Sequence, residues 1–190
     1  MRMSRTTKPH DLFGKAMPRR RAPLETSLLR LDRATFDHRL ERLQYLDNVF
    51  PKGMAYMLPL ETHFLFQEAK AAYVAGLSIA VVLLTQAFIE HYYQLCLQHG
   101  PHSSVAERGL AAISDCLRKH KLEHDIILKR VDELRLIRNP FTHLKDFGHP
   151  HNLSQRAYST RQNPDTLLEQ DAKNSLDALF AIIQHSKFKA

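Results

Sequence analysis

An all-α fold is what this sequence predicts, and three observations predict it. Apolar residues recur at the three-to-four-residue spacing of helices, proline, glycine and capping residues punctuate the recurrent stretches, and no stretch alternates as a strand does. The expected architecture is a bundle of about five helices over residues 60–190, preceded by a helical extension and linker over 24–59 and a disordered basic leader over 1–23. At 190 residues the chain is long enough to bury a real core.

Each element has its own justification. The leader combines Pro9, Pro18 and Pro23 with a basic run and little apolar content, so it reads as a solvated tail, with a nucleic-acid-binding arm as the competing use. From Leu24 to Phe50 the pattern turns helical, with Phe36, Leu40, Leu43 and Phe50 on one stripe, and Pro51, Gly53 and Pro59 break it. A second helix is expected from about Leu60 to Ala75 and a third from Leu77 to Gln98, parted at most by a kink at Gly76. The third is apolar around most of its circumference at Ile79–Leu84, the mark of a central helix, and Gly100-Pro101 stops it. Ser104-Val105-Ala106-Glu107 has the S-x-x-E form of a capping box and predicts a helix running to about His120.

The next helix spans roughly Leu122 to Asn139. Ile127, Val131 and Leu134 form its stripe, and Arg138 is the next position on it, so a cation faces other helices and needs a partner or a purpose. Pro140 removes a backbone donor and crowds the carbonyl four residues earlier, so the helix is expected to end at Asn139 and the break to re-aim His143. Residues 146–163 are polar and turn-rich and read as a long loop. Asn163-Pro164, a cap followed by proline at the first helical position, opens a last helix with Leu168, Ala172, Leu176, Leu179 and Ile183 inward.

The formal charge of +7 is unevenly placed, since residues 1–23 hold seven of the basic residues against Asp11 alone. The remainder is nearly neutral, and bulk polyanion affinity belongs to the leader. Cys96 and Cys116 show neither C-x-x-C spacing nor a pairing pattern, which points to packed thiols in a reducing compartment. No signal-peptide core is expected at the start, and the longest apolar run, near Leu77–Ile89, is interrupted by Ser78, Thr85 and Gln86 and falls short of a membrane span. The chain reads as soluble and cytoplasmic, with no membrane partner.

The stretch richest in chemistry is Arg138-Asn139-Pro140-Phe141-Thr142-His143, an R-N-x-x-x-H hexad. It joins an unconditional cation that forks onto phosphate oxygens to a base that takes a proton from a hydroxyl near neutral pH. Those are the two groups that metal-free RNA cleavage requires. Ahead of it, Ala71, Tyr73, Gly76, Ser78, Ala80 and Glu90 form a small-residue-rich helical pair, and after it come a loop and one closing helix.

On these residues, over roughly 60–188, the chain resembles the HEPN family, small helical bundles that include many ribonuclease toxins and defence proteins. The resemblance implies a homodimer whose cleft brings two copies of the motif together to cut single-stranded RNA by 2′-hydroxyl attack, with no metal and no cofactor. It implies His143 as general base or acid, Arg138 as the clamp on the scissile phosphate, Asn139 and Thr142 in support, and Glu90 as the acidic residue that ends the hairpin pattern. Lys145, His149 and His151 would contact RNA, and an antitoxin or regulatory protein is an implied partner. The resemblance departs at Lys145, where toxins paired with nucleotidyltransferase antitoxins often carry the tyrosine that is modified.

Other readings compete. The hexad also fits a helix end in which Arg138 pairs with Glu90 and His143 favours the negative end of the dipole, within a non-catalytic dimeric module that binds RNA, nucleotide or protein. His120-Lys121-Leu122-Glu123-His124 matches the metal-binding form H-x-x-E-H, but it lies at a seam between helices with no third ligand evident and is read as solvated helix ends. His149 and His151 with His143 are likewise read as a polar loop rather than a metal site. Phe64, Phe66, Tyr73, Tyr92 and Tyr93 suit core or dimer packing better than a base-stacking platform.

Overall fold

A computed structural model describes residues 21–50 and 58–188, and among these the chain forms eight helices and no strand. They are α1 (Arg21–Val49), α2 (Leu60–Ala75), α3 (Ser78–Leu97), α4 (Ser103–Ala106), α5 (Leu110–Lys119), α6 (Asp125–Thr142), α7 (Leu153–Thr160) and α8 (Pro164–His185). The expected bundle is carried by α2, α3, α5, α6 and α8, with α1 as the extension. Most of the expected leader and the break at Pro51 and Gly53 lie outside the described residues.

The chain divides into two units between His38 and Arg39, inside α1. In the first, residues 23–38 are exposed throughout, including Leu24, Leu28, Leu29, Leu31 and Phe36. Arg21 to Pro23, expected in the leader, are helical, as proline is tolerated in a first turn where its missing donor is not needed.

In the second unit the buried stripe of α1 differs from the expected one. Leu40 and Leu43 are exposed, whereas Leu46 is buried and Tyr45, Val49 and Phe50 pack against the core. Polar ties select this face: the Tyr45 hydroxyl donates to Asp177 and Arg42 pairs with Glu169, both acceptors on α8.

The centre is α3, which packs against α2, α6 and α8. Val81, Val82, Phe88, Ile89 and Tyr93 are fully covered, and Leu128, Val131, Leu176, Leu179 and Ile182 meet the same core. Each such side chain contributes about 1.5–3 kcal/mol relative to exposure. Gly76 makes a full corner between α2 and α3 rather than a kink, adopting φ +77° so that its N–H reaches the Tyr73 carbonyl at 3.0 Å. Of the aromatic residues, Phe66, Tyr92 and Tyr93 are core residues, with the Phe66 and Phe88 rings 5.8 Å apart, while Phe64 is exposed.

Two further expectations are corrected. The S-x-x-E box does not cap a long helix, because Ser104 lies inside the single turn α4 and Gly109, at φ +82°, separates that turn from α5. The stretch 146–163 is not one loop, since it contains α7. No residue of α7 is buried, and the Arg156 guanidinium instead grips Asp171 of α8 with two hydrogen bonds of 2.7 Å. The start of α8 is as expected, with Asn163 Oδ1 accepting the Asp165 N–H at 2.8 Å. Ala172, Leu176 and Leu179 are buried, while Leu168 and Ile183 are half-buried. No helix among the described residues is long and apolar enough to cross a membrane.

Candidate functional site at the end of α6

The hexad forms the last turn of α6 and the residue beyond it. Ile127, Leu128, Val131 and Leu134 anchor the helix in the core, and Arg138, one turn further on, is half-buried. The helix does not stop at Asn139. It continues through Pro140 to Thr142, and His143, at φ −137° and ψ 121°, is the first extended residue. Pro140 has no N–H to offer the carbonyl four residues earlier, and the helix nevertheless runs on past it. The Asn139 carbonyl accepts the His143 N–H at 2.9 Å and the Thr142 hydroxyl at 3.3 Å, and these bonds close the helix end. Thr142 is thereby a capping hydroxyl.

On a continued helix His143 would lie about 140° around the axis from Arg138, but its extended backbone takes it off that register. His143 is exposed, Asn139 is half-buried, and no hydrogen bond joins Arg138 to His143 among the described residues.

The expected Glu90–Arg138 pair is absent among the described residues. Glu90 is half-buried on α3, and its Oε1 faces the backbone of Gly109, 3.7 Å from where a Cβ would stand. No carboxylate forms an ion pair with Arg138 among the described residues, so this half-buried residue has its guanidinium donors open. Arginine in that state is suited to a planar oxyanion from outside.

Beyond the helix, the chain from Asp146 to Asn152 is an ordered turn. Asn152 Nδ2 donates to the Asp146 carbonyl at 2.7 Å, and the His151 N–H donates to His149 Nδ1 at 3.3 Å. The rings of His149 and His151 stand 5.6 Å apart, so these two residues are brought together. Burial holds the His151 imidazole below its ordinary titration range, and His149 and Arg156 push in the same direction. Lys145 is half-buried beside them in sequence.

The H-x-x-E-H segment is split by the fold. His120 caps α5, Lys121 turns at φ +53°, and His124 precedes α6. Glu123, a potential general base in that pattern, is buried and accepts from the Tyr93 and Ser186 hydroxyls, the Lys187 N–H at 3.2 Å and the His124 N–H at 2.8 Å. It is a structural acceptor, and desolvation together with Glu123 pushes the Tyr93 hydroxyl strongly upward. Sequence reasoning missed this role and the Arg156–Asp171 grip. The signal for the second was available, since an Asp at the fully apolar face of α8 requires a cation. No protein-family model matches the chain, and no curated protein and no solved structure matches it.

Proposed function

We propose that the chain is a HEPN-like, metal-independent endoribonuclease that acts as a cytoplasmic toxin or defence protein and cuts single-stranded RNA by 2′-hydroxyl attack. The observation that carries this reading is the half-buried Arg138 with no ion pair among the described residues, at the end of a helix rooted in the core. An arginine carried by a core-packed helix and left without an ion pair is available to a phosphate that gains charge in the transition state. His143 stands exposed just past the helix, where a ribose hydroxyl from solvent could approach it. Asn139 supports the turn, and Lys145, His149 and His151 extend the surface on which RNA would lie. No hydrogen bond joins Arg138 to His143 among the described residues, and the reading pairs each Arg138 with the His143 of a second copy of the chain.

The test is RNA cleavage in excess EDTA by wild type, Arg138→Ala and His143→Ala. Wild type is expected to leave 2′,3′-cyclic phosphate ends, and either substitution to reduce kcat/KM by about 10²–10⁴-fold. Cleavage at the wild-type rate by both variants would end this reading.

The lack of a bond between Arg138 and His143 among the described residues favours a second reading, a non-catalytic dimeric module in which Arg138 binds a phosphate of RNA or nucleotide without turnover. Tight RNA retention by wild type with no cleavage, weakened by Arg138→Ala and indifferent to His143→Ala, distinguishes it.

A further inference from the structure

Away from the hexad, the fold gathers three metal-ligating side chains that no sequence pattern joins. Cys116 lies in the last turn of α5, and His120, the residue that caps that helix, is tied back to it by the bond from its N–H to the Cys116 carbonyl at 3.0 Å. His102 comes from the connection between α3 and α4. The turn that presents it is fixed by backbone bonds from Gly100 N–H to the Leu97 carbonyl at 3.1 Å and from Ser103 N–H to the Gly100 carbonyl at 3.2 Å. One ligand atom from each of the three residues lies within 4.8 Å of the other two.

We propose that His102, Cys116 and His120 form a binding site for a zinc-class divalent ion, independent of the hexad and of the nuclease reading. Three features support it. The first is distance: bond lengths of about 2.3 Å to sulfur and 2.0–2.1 Å to nitrogen put tetrahedral ligands about 3.5 Å apart, so side-chain rotations of the order of 1 Å close the set. The second is chemistry, since one thiolate with two imidazoles selects borderline ions such as zinc or cobalt over magnesium or calcium. The third is the absence of rival bonds. Among the described residues none of the three side chains has a hydrogen-bond partner, and the His102 and His120 rings approach to 4.2 Å between centroids at a tilt of 36°. Two imidazoles brought that close, beside a buried thiol, share one centre at which their lone pairs can converge.

Burial sets the character of the site. Cys116 is buried, His102 half-buried and His120 exposed, so the protein supplies three ligands and the fourth position opens to water on the His120 side. On binding, the Cys116 thiol loses its proton to solvent as the sulfur–metal bond forms, and the ion clips the end of α5 to the α3–α4 connection.

The experiment is cobalt titration of the full chain, followed by near-ultraviolet absorption. Wild type is expected to show a thiolate-to-cobalt charge-transfer band that saturates at one ion per chain and is abolished by zinc. Cys116→Ser is expected to lose the band, and His102→Ala and His120→Ala to weaken binding on the order of 10-fold or more, while Cys96→Ser retains the band in full. Absence of the band in folded wild type, or its persistence in Cys116→Ser, overturns the proposal. Cleavage of RNA in EDTA is unaffected by either result, so this site and the nuclease reading fail separately.

Discussion

At the scale of single residues, the least expected neighbourhood is the pair His149 and His151. The sequence marks them as members of a polar loop, and composition cannot say that Asn152 folds that loop back onto the Asp146 carbonyl. Once folded, His151 is partly desolvated beside His149 and Arg156, all of which favour its neutral form. Its folded-state midpoint is therefore below that of the free side chain, and the unfolded chain binds more protons in the window between the two. Stability contributed by neutral His151 is intact above the ordinary value of 6.5 and falls as pH drops below it. An NMR titration of the imidazole protons is expected to place the His151 midpoint below 6.5, and His149→Ala to move it upward. An RNA contact through His151 near neutral pH is then a hydrogen bond rather than an ion pair. Arg138 is the contrasting case, because its place on the α6 stripe was legible from spacing, while the absence of Glu90 from its side depends on where α3 and α5 meet.

At the scale of elements, the long helices were legible and the short ones were not, for a physical reason. α2, α3, α6 and α8 bury apolar stripes that leave a period in the sequence. α7 buries no side chain and leaves no period; its tertiary tie to α8 is the pair between Arg156 and the almost fully buried Asp171. Removing one partner of such a pair leaves an uncompensated charge against the core. Arg156→Ala, which strands the almost fully buried Asp171 carboxylate, is expected to destabilise the protein by about 3–5 kcal/mol in urea unfolding. Hydrogen exchange is expected to lose protection first over 153–160, because nothing apolar holds that helix in place. Pro140 taught the opposite lesson. Its missing donor and its ring usually end or kink a helix, yet here the helix carries on to Thr142.

At the scale of the whole molecule, charge and fold are carried by different stretches of the chain. Residues 1–20 contain most of the excess basic charge, whereas the packed helices from Arg39 onward are close to balanced. Non-specific affinity for a polyanion follows the number of phosphates neutralised, so it should follow the basic stretch. Removing residues 1–20 is expected to flatten the salt dependence of RNA binding, measured by fluorescence anisotropy across a potassium chloride series. An unchanged salt slope would assign the affinity to the packed helices instead. The all-helical class was readable from the sequence because it rests on local periodicity. The sites were less so, because His102 meets Cys116 and His120 only through a turn and two helices that no short motif encodes.

The fastening of Ser186 to Phe188 has a practical consequence. Glu123 takes the Ser186 hydroxyl and the Lys187 N–H, Lys187 Nζ reaches the Lys121 carbonyl at 3.0 Å, and the Phe188 carbonyl receives the Tyr92 hydroxyl at 2.8 Å. A protease that cuts after lysine must draw accessible, extended backbone into its cleft, and at Lys187 that backbone is already engaged. Trypsin resistance at this bond is thus a simple gauge of whether a preparation, or any variant described above, has its helices assembled.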